Sequence, residues 1–161
     1  MKDYKGDIKI VYKHFVVHPS TATIPALAAC AAHKQGKFAP MEKLIWEKGY
    51  GQRAQGGLSA DNMKKIAKEA GLNMGQYDKD VAGACKADIQ KDQAHLRAVG
   101  VSGTPAFFIN GRFLSGARPV DQFKAIIDEE LKKANSRIGD GGATAENYYN
   151  KWVLAKGKKK L

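Results

Sequence analysis

The sequence predicts an α/β protein: a strand near the start, a long helical stretch, a β-hairpin, and a helix that folds back on the hairpin. Three observations carry this. Within VSGTPAFFINGRFLSGARPVDQFKAIIDEEL, Val101 to Leu131, the apolar run Ala106–Ile109 and a second short strand, Arg112–Ser115, flank Asn110-Gly111. Asn-Gly between strand-like runs is the strongest short hairpin signal, because a type I′ turn needs φ > 0 at both central residues. Successive apolar residues in the first of these strands predict that both its faces are covered. Near the start, DIKIVYKHFVV (Asp7 to Val17) alternates through Ile8, Ile10 and Tyr12, then turns wholly apolar at Phe15 to Val17, as a strand entering a buried sheet does. The residues between carry helical spacing punctuated by capping residues and stop glycines.

In chain order, His18-Pro19-Ser20 ends the first strand. A helix then starts near Thr21 or Thr23 with Pro25 in its first turn, where a missing N–H does no harm. It runs through an alanine-rich stretch holding Cys30 and His33 and stops at Gly36, and so many alanines imply close packing. A Pro40-started helix carries Met41, Leu44, Ile45 and Trp46, and a polar, glycine-rich loop spans Gly49 to Gly57. Ser59 reads as an N-cap, with Leu58 and Met63 placed for a hydrophobic staple, in a helix ending at Gly71. Asn73 caps a short turn, Met74 to Val81. A longer helix, Ala84 to Val99, sets Cys85, Ile89, Leu96 and Val99 along one face, with Asp92 inside the stripe. After the hairpin, a helix from Pro119 to Ala134 buries Val120, Phe123, Ile127 and Leu131. Gly139, Gly141 and Gly142 form a hinge, and Thr144 caps a last helix carrying Tyr148, Tyr149 and Trp152. An isolated helix this short is marginal, so its aromatics imply docking onto the domain or a partner. No internal repeat is present.

The length of 161 residues suits one domain with a sizeable core and an inserted subdomain. Hydrophobic content is 43%, and no apolar run approaches a membrane span. The opening residues MKDYKGDIKI lack a signal peptide's apolar stretch, so the chain as given reads as soluble, with nothing directing export. The net charge is +11, from 27 Lys and Arg against 16 Asp and Glu, which favours polyanions and anionic membrane surfaces. The charge is scattered except at Lys156, Lys158, Lys159 and Lys160. No stacking-aromatic or zinc-finger pattern accompanies it, which argues for a solvated tail and against nucleic acid.

Cys30 and Cys85 stand too far apart to be a Cys-x-x-Cys pair, and two cysteines do not make a zinc site. Cys30 reads as a small residue in a packing face or, with His33 one turn on, as a Cys-His pair. Cys85, near a helix start, reads as a reactive thiol or as half of a structural disulfide with Cys30, and the disulfide reading is preferred. That bond suits a protein outside the cytosol. His14 and His18 lack the carboxylate spacing of a metal site, so no metal is expected. Walker, dinucleotide and Gly-x-Ser-x-Gly motifs are absent, and no cofactor is expected.

Gly103-Thr104-Pro105 before such a hairpin and helix resembles the C-terminal half of the thioredoxin fold, and more closely the DsbA-like thiol-disulfide oxidoreductases. His18-Pro19 and the segment AAHKQGKF, inside an alanine-rich helix, strengthen the likeness. The resemblance implies a thioredoxin-like fold with an inserted helical subdomain: 1–19 a thioredoxin-fold strand, 20–100 the helical insertion, 101–138 the cis-Pro hairpin and C-terminal helix. Residues 139–161, the hinge, aromatic helix and basic tail, lie outside it. It further implies a cis Thr104–Pro105 bond, substrate binding at Gly103, Thr104 and Pro105, extended or unfolded polypeptides as partners, disulfide formation or isomerisation in exported proteins, and a periplasmic or otherwise extracytoplasmic location.

Family members of this kind open with a strand and a helix that starts at Cys-x-x-Cys, and the sequence shows neither. The expectation is therefore a truncated chain, missing the first strand and active-site helix and catalytically incomplete. Its alternative function is a non-catalytic peptide-binding or assembly module using the cis-Pro groove. The missing strand belongs at the sheet centre, so a rearranged sheet, a homo-oligomer or a strand-swapped dimer is expected, because unpaired buried backbone is costly.

Overall fold

The computed structural model describes Tyr4 and residues 6–156. The chain divides into two units: Lys13–Leu96, and Met1–Tyr12 together with Arg97–Leu161.

The first of these is helical. Helix α1, Pro19–Lys34, begins earlier than its threonines suggest because Pro19 occupies the first turn, which leaves Pro25 inside the helix. Its end is a Schellman cap: Gly36 N–H donates to the His33 carbonyl and Lys37 N–H to the Ala32 carbonyl, at 3.0 and 2.8 Å. Helix α2, Phe38–Leu44, starts two residues before Pro40. The chain then continues as a π-helical turn, Ile45–Gly49, at the end of the expected Pro40-started helix, and as a 3₁₀ turn, Tyr50–Gln55, in place of the polar loop expected over Gly49 to Gly57. Gly57 explains the compact path, since a Cβ there would meet the carbonyl oxygens of Gly49 and Gln52. Helix α3, Ala60–Glu69, is capped by Ser59, whose Oγ accepts from Asn62 N–H at 3.3 Å. Helix α4, Met74–Ala82, is capped by Asn73, whose Oδ1 accepts from Gln76 N–H at 3.0 Å. Helix α5, Ala84–Ala98, follows.

The core of this unit is built by α1, α2 and α3, with Tyr77 of α4 and Cys85 and Ile89 of α5 closing it. Ala28, Ala31 and Ala32 are fully buried against Met41, Met63 and Ile66. Alanines on α1 let its backbone approach its neighbours, and the long methionines fill the remaining space. Gln35 fastens the α1 end to the α4 start reciprocally: its Oε1 accepts from Asn73 N–H at 2.8 Å and its Nε2 donates to the Asn73 carbonyl at 3.2 Å.

In the other unit, β1 (Ala106–Ile109) and β2 (Arg112–Ser115) pair antiparallel, with Phe107 opposite Leu114 and Phe108 opposite Phe113. Asn110 at φ 47° and Gly111 at φ 88° make the left-handed pair that a type I′ turn requires. Helix α6, Val120–Gly139, packs one sheet face through an edge-to-face contact of Phe123 with Phe107 at 4.8 Å. Ile127 is buried on it, whereas Val120, expected inside, is exposed in its first turn.

Three further expectations are corrected. Asp7 to Val17 forms no strand: the sheet among the described residues is β1 with β2 alone, and without a neighbour the segment has no regular structure, with Ile10 and Val11 exposed. The hairpin's phenylalanines stay part-exposed on both faces: Phe107, although Phe123 of α6 meets it edge-to-face, is 36% exposed, and Phe108 and Phe113, a tilted pair at 5.1 Å on the opposite face, are 40% and 36% exposed. The glycine hinge is a Schellman cap: Gly141, at φ 70°, donates to the Ile138 carbonyl and Gly142 to the Arg137 carbonyl, at 3.1 and 2.8 Å. Beyond it Thr144 and Asn147 bond reciprocally, and a π-helical segment, Tyr149–Leu154, docks on α6 through Arg137.

Candidate functional site

Two groups of residues carry the candidate chemistry, one in each unit. The first is the loop before β1. Val101 is buried and anchors it, while Ser102, Gly103, Thr104 and Pro105 are exposed. The Thr104–Pro105 peptide is cis. The Pro105 carbonyl accepts from Gly116 N–H at 2.8 Å, which extends the hairpin ladder by one step and fixes the loop to β2. One residue earlier the ladder stops. Thr104 makes no backbone hydrogen bond to any described residue, and a Cβ at Gly103 would meet no atom within 4 Å. The loop thus leaves a backbone donor and acceptor in open space, at the end of a strand whose outer edge has no partner among the described residues.

The second group is the cysteine pair. Cys30 of α1 and Cys85 of α5 are joined by a disulfide across a sequence separation of 55. The two residues are 5% and 0% exposed, inside the helical core, so no solute reaches the sulfurs without local opening. His33, a candidate thiol partner, instead sets its ring edge-on to Phe38 at 6.4 Å. One turn beyond the disulfide, Lys34 Nζ and an Asp88 carboxylate oxygen pair at 2.8 Å, tying the same two helices again. The Lys34 ammonium holds the Asp88 carboxyl below the usual carboxylate range.

Asp92, the interruption in the apolar stripe of α5, is a tether. Its carboxylate accepts from Lys13 Nζ at 2.7 Å and from His14 N–H at 3.1 Å. Burial pushes the His14 imidazole below the ordinary histidine range, against the opposing pull of Asp92. The only sequence signal for this role was the acidic residue on an otherwise apolar face. The outward Phe108–Phe113 pair was not legible at all, because its exposure depends on which face α6 covers.

Among the described residues no His, Cys, Asp and Glu cluster could hold a metal ion. No described helix is long and apolar enough to cross a membrane.

The model of the DSBA-like thioredoxin domain matches residues 2–128. Among curated proteins, the chain is 28% identical over 126 residues to the "Na(+)/H(+) antiporter NhaA" of Herminiimonas arsenicoxydans, covering 78% of this chain and 19% of that protein. It is 32% identical over 140 residues to the "Na(+)/H(+) antiporter NhaA 1" of Salinispora arenicola, with 83% and 20% covered. It is 30% identical over 145 residues to the "Na(+)/H(+) antiporter NhaA 3" of Salinispora tropica, with 86% and 21% covered. The chain thus spans about a fifth of the length of these curated relatives. No solved structure matches the chain significantly. With the family model covering the helical stretch, the Gly103-Thr104-Pro105 loop and the hairpin alike, the chain belongs to the DSBA-like thioredoxin-domain family of thiol-disulfide oxidoreductases.

Proposed function

We propose that this chain is the polypeptide-binding portion of a DsbA-like protein, and that its own disulfide is structural. The observation that carries the reading is the unpaired Thr104 backbone beside the open edge of β1. An extended polypeptide can add there as a strand, with affinity from main-chain hydrogen bonds and selectivity from the exposed Phe108 and Phe113. Gly103, Thr104 and Pro105 are the residues that meet it. Exchange chemistry needs an accessible thiolate and a resolving thiol. The only two cysteines of the sequence are bonded to each other and buried, so within this chain dithiol oxidation has no nucleophile. A structural disulfide supports an extracytoplasmic location.

The relatives' names support a further step. Alignments over most of this chain must fall largely on its DSBA-like region, so about a fifth of each antiporter resembles that region. Ion exchange then belongs to the unmatched remainder of those proteins, and this chain's contribution is polypeptide binding.

A mapping experiment tests the proposal. On titration with an unfolded, cysteine-free polypeptide, amide shifts should move at Ser102, Thr104 and along β1, while reduction of insulin stays at the uncatalysed rate. Insulin turnover that vanishes in a Cys30→Ala, Cys85→Ala variant would instead make the disulfide redox-active and overturn the reading.

A second reading rests on the unpaired segment Asp7 to Val17, which joins no sheet among the described residues, with its strand-like alternation and its exposed Ile10 and Val11. In a strand-swapped dimer this segment of one copy would complete the β1 edge of another. Sedimentation equilibrium decides it: a single monomeric species at the highest soluble concentration excludes the swap.

A further inference from the structure

We infer that Trp46, Tyr50 and Arg53 form a docking site for an acidic polypeptide segment, one in which a carboxylate side chain stands beside an aromatic or aliphatic one. Direct contacts make the three side chains one surface. The Trp46 and Tyr50 rings meet edge to face at 5.2 Å, and the Arg53 guanidinium lies 4.3 Å from the centre of the Tyr50 ring. Arg53 Nη1 also donates to the Tyr50 carbonyl at 3.1 Å, which holds the guanidinium in place. All three residues are exposed, Trp46 and Tyr50 by 59% and 46%. The turns that carry them are fixed from behind. Gly49 is buried, and the Asn62 side-chain amide donates to the Lys48 carbonyl at 3.1 Å and to the Gly57 carbonyl at 2.7 Å. A surface held in this way loses little freedom on binding.

What this surface lacks is an anion. Arg53 makes no ion pair with any described residue, and its one hydrogen bond is to the Tyr50 carbonyl. Two carboxylates on the same helical unit are already taken, Glu47 by Lys43 at 3.8 Å and Glu69 by Lys48. The remaining N–H groups of the Arg53 fork can therefore accept a partner's carboxylate, which a guanidinium binds through two parallel hydrogen bonds. A neighbouring apolar side chain on that partner would cover the Trp46 ring. Trp, Tyr and Arg are the residues that most often carry the binding energy of protein interfaces, because their large rings and planar fork lose little freedom per contact made. The net charge of +11 draws an acidic partner toward the chain before contact. No residue of the Thr104 loop or of β1 takes part, so the inference stands apart from the proposed function.

Selection of random peptides displayed on phage tests the inference, with the whole chain as target and its Trp46→Ser, Arg53→Gln double variant as the counter-selection. Peptides that prefer the wild type should place Asp or Glu beside an aromatic or aliphatic residue. A synthetic copy of the most enriched peptide should shift the indole N–H resonance of Trp46 and leave that of Trp152 in place. Trp46→Ser should weaken its binding about thirtyfold, the loss of a central interface ring. Arg53→Lys should weaken it about tenfold although the charge is kept, because an ammonium cannot reproduce the fork. Both side chains are exposed, so the urea midpoints of the variants should stay close to that of the wild type. Enriched peptides without acidic residues, equal enrichment on both targets, or a Trp46 resonance that does not move would each overturn it. So would tighter binding of a single-stranded oligonucleotide than of the peptide at equal salt, or self-association of the chain that Trp46→Ser abolishes.

Discussion

Opening the Cys30–Cys85 bond perturbs the helical unit at its most tightly constrained point. The bond closes a loop across a separation of 55 residues, and the chain-entropy relation assigns such a loop about 4 kcal/mol at 25 °C. For a chain of this size that corresponds to a fall of about 8–16 °C in the thermal midpoint. Cys30→Ala, Cys85→Ala and the double variant should all lose about the same amount, because removing either sulfur removes the whole cross-link. Reduced wild-type protein should match them to within the cost of burying two thiols. Urea titrations of the four species, with a thiol count on the denatured, unreduced protein, measure this directly. Losses that add from the single variants to the double would mean that the cysteines act as separate packing groups. Two titratable thiols before reduction, or a loss under about 1 kcal/mol, would refute the cross-link argument outright.

Other consequences follow from particular contacts. Gly57→Ala should cost about 1–3 kcal/mol or more, read by the urea midpoint, because its Cβ would meet the Gly49 and Gln52 carbonyls and backbone cannot yield as a side chain does. Ser59→Ala and Asn73→Ala should each cost about 1 kcal/mol, since each side-chain oxygen satisfies an otherwise unpaired N–H in a first helical turn. His14 titrates lower in the folded chain than in the unfolded one, so its neutral form adds stability above the ordinary histidine range, and that contribution is lost as pH falls through the folded value. A His14→Gln variant should therefore show a flatter dependence of stability on pH between 7 and 5, and parallel curves would remove His14 from the acid response.

What the sequence disclosed is what short-range chemistry decides. Ser59, Asn73 and the Asn110-Gly111 turn act within four residues of themselves, and each does what its side chain or backbone freedom dictates. The Gly103-Thr104-Pro105 motif likewise marked the loop with the unpaired backbone. The failures are non-local. Asp7 to Val17 has the composition of a strand, but a strand exists only where a neighbour supplies hydrogen bonds, and none is present among the described residues. Phe107 and Phe108 look equally suited to burial, yet neighbours on a strand point to opposite faces, and α6 reaches only the Phe107 side, through one edge-to-face contact that leaves the ring 36% exposed. The glycines after α6 resemble a hinge until their hydrogen bonds back to Arg137 and Ile138 are seen.

The two units differ in how much apolar surface they leave to be covered. In the helical unit, Ala28, Ala31 and Ala32 of α1 and the side chains of Met41, Met63 and Ile66 are fully buried, so a partner gains little by covering that core. The hairpin is the reverse case. Phe108 and Phe113 are 40% and 36% exposed on the face away from α6, which leaves on the order of 150 Å² of ring surface in water and about 4 kcal/mol to be gained by covering it. Against this, ordering an extended segment costs about 1–2 kcal/mol per residue, and each new main-chain hydrogen bond returns only about 0.5–1.5 kcal/mol. For a segment of five residues the terms nearly cancel. A strand added from a separate polypeptide is therefore held weakly and exchanges readily, as a site that handles many unfolded chains requires. A strand tethered within the same assembly does not bear the full cost of association and would stay in place. On the proposed function, the same open edge of β1 would serve transient polypeptides when free and become a permanent joint when a tethered strand occupies it, so occupancy of that edge decides between the two readings of this protein.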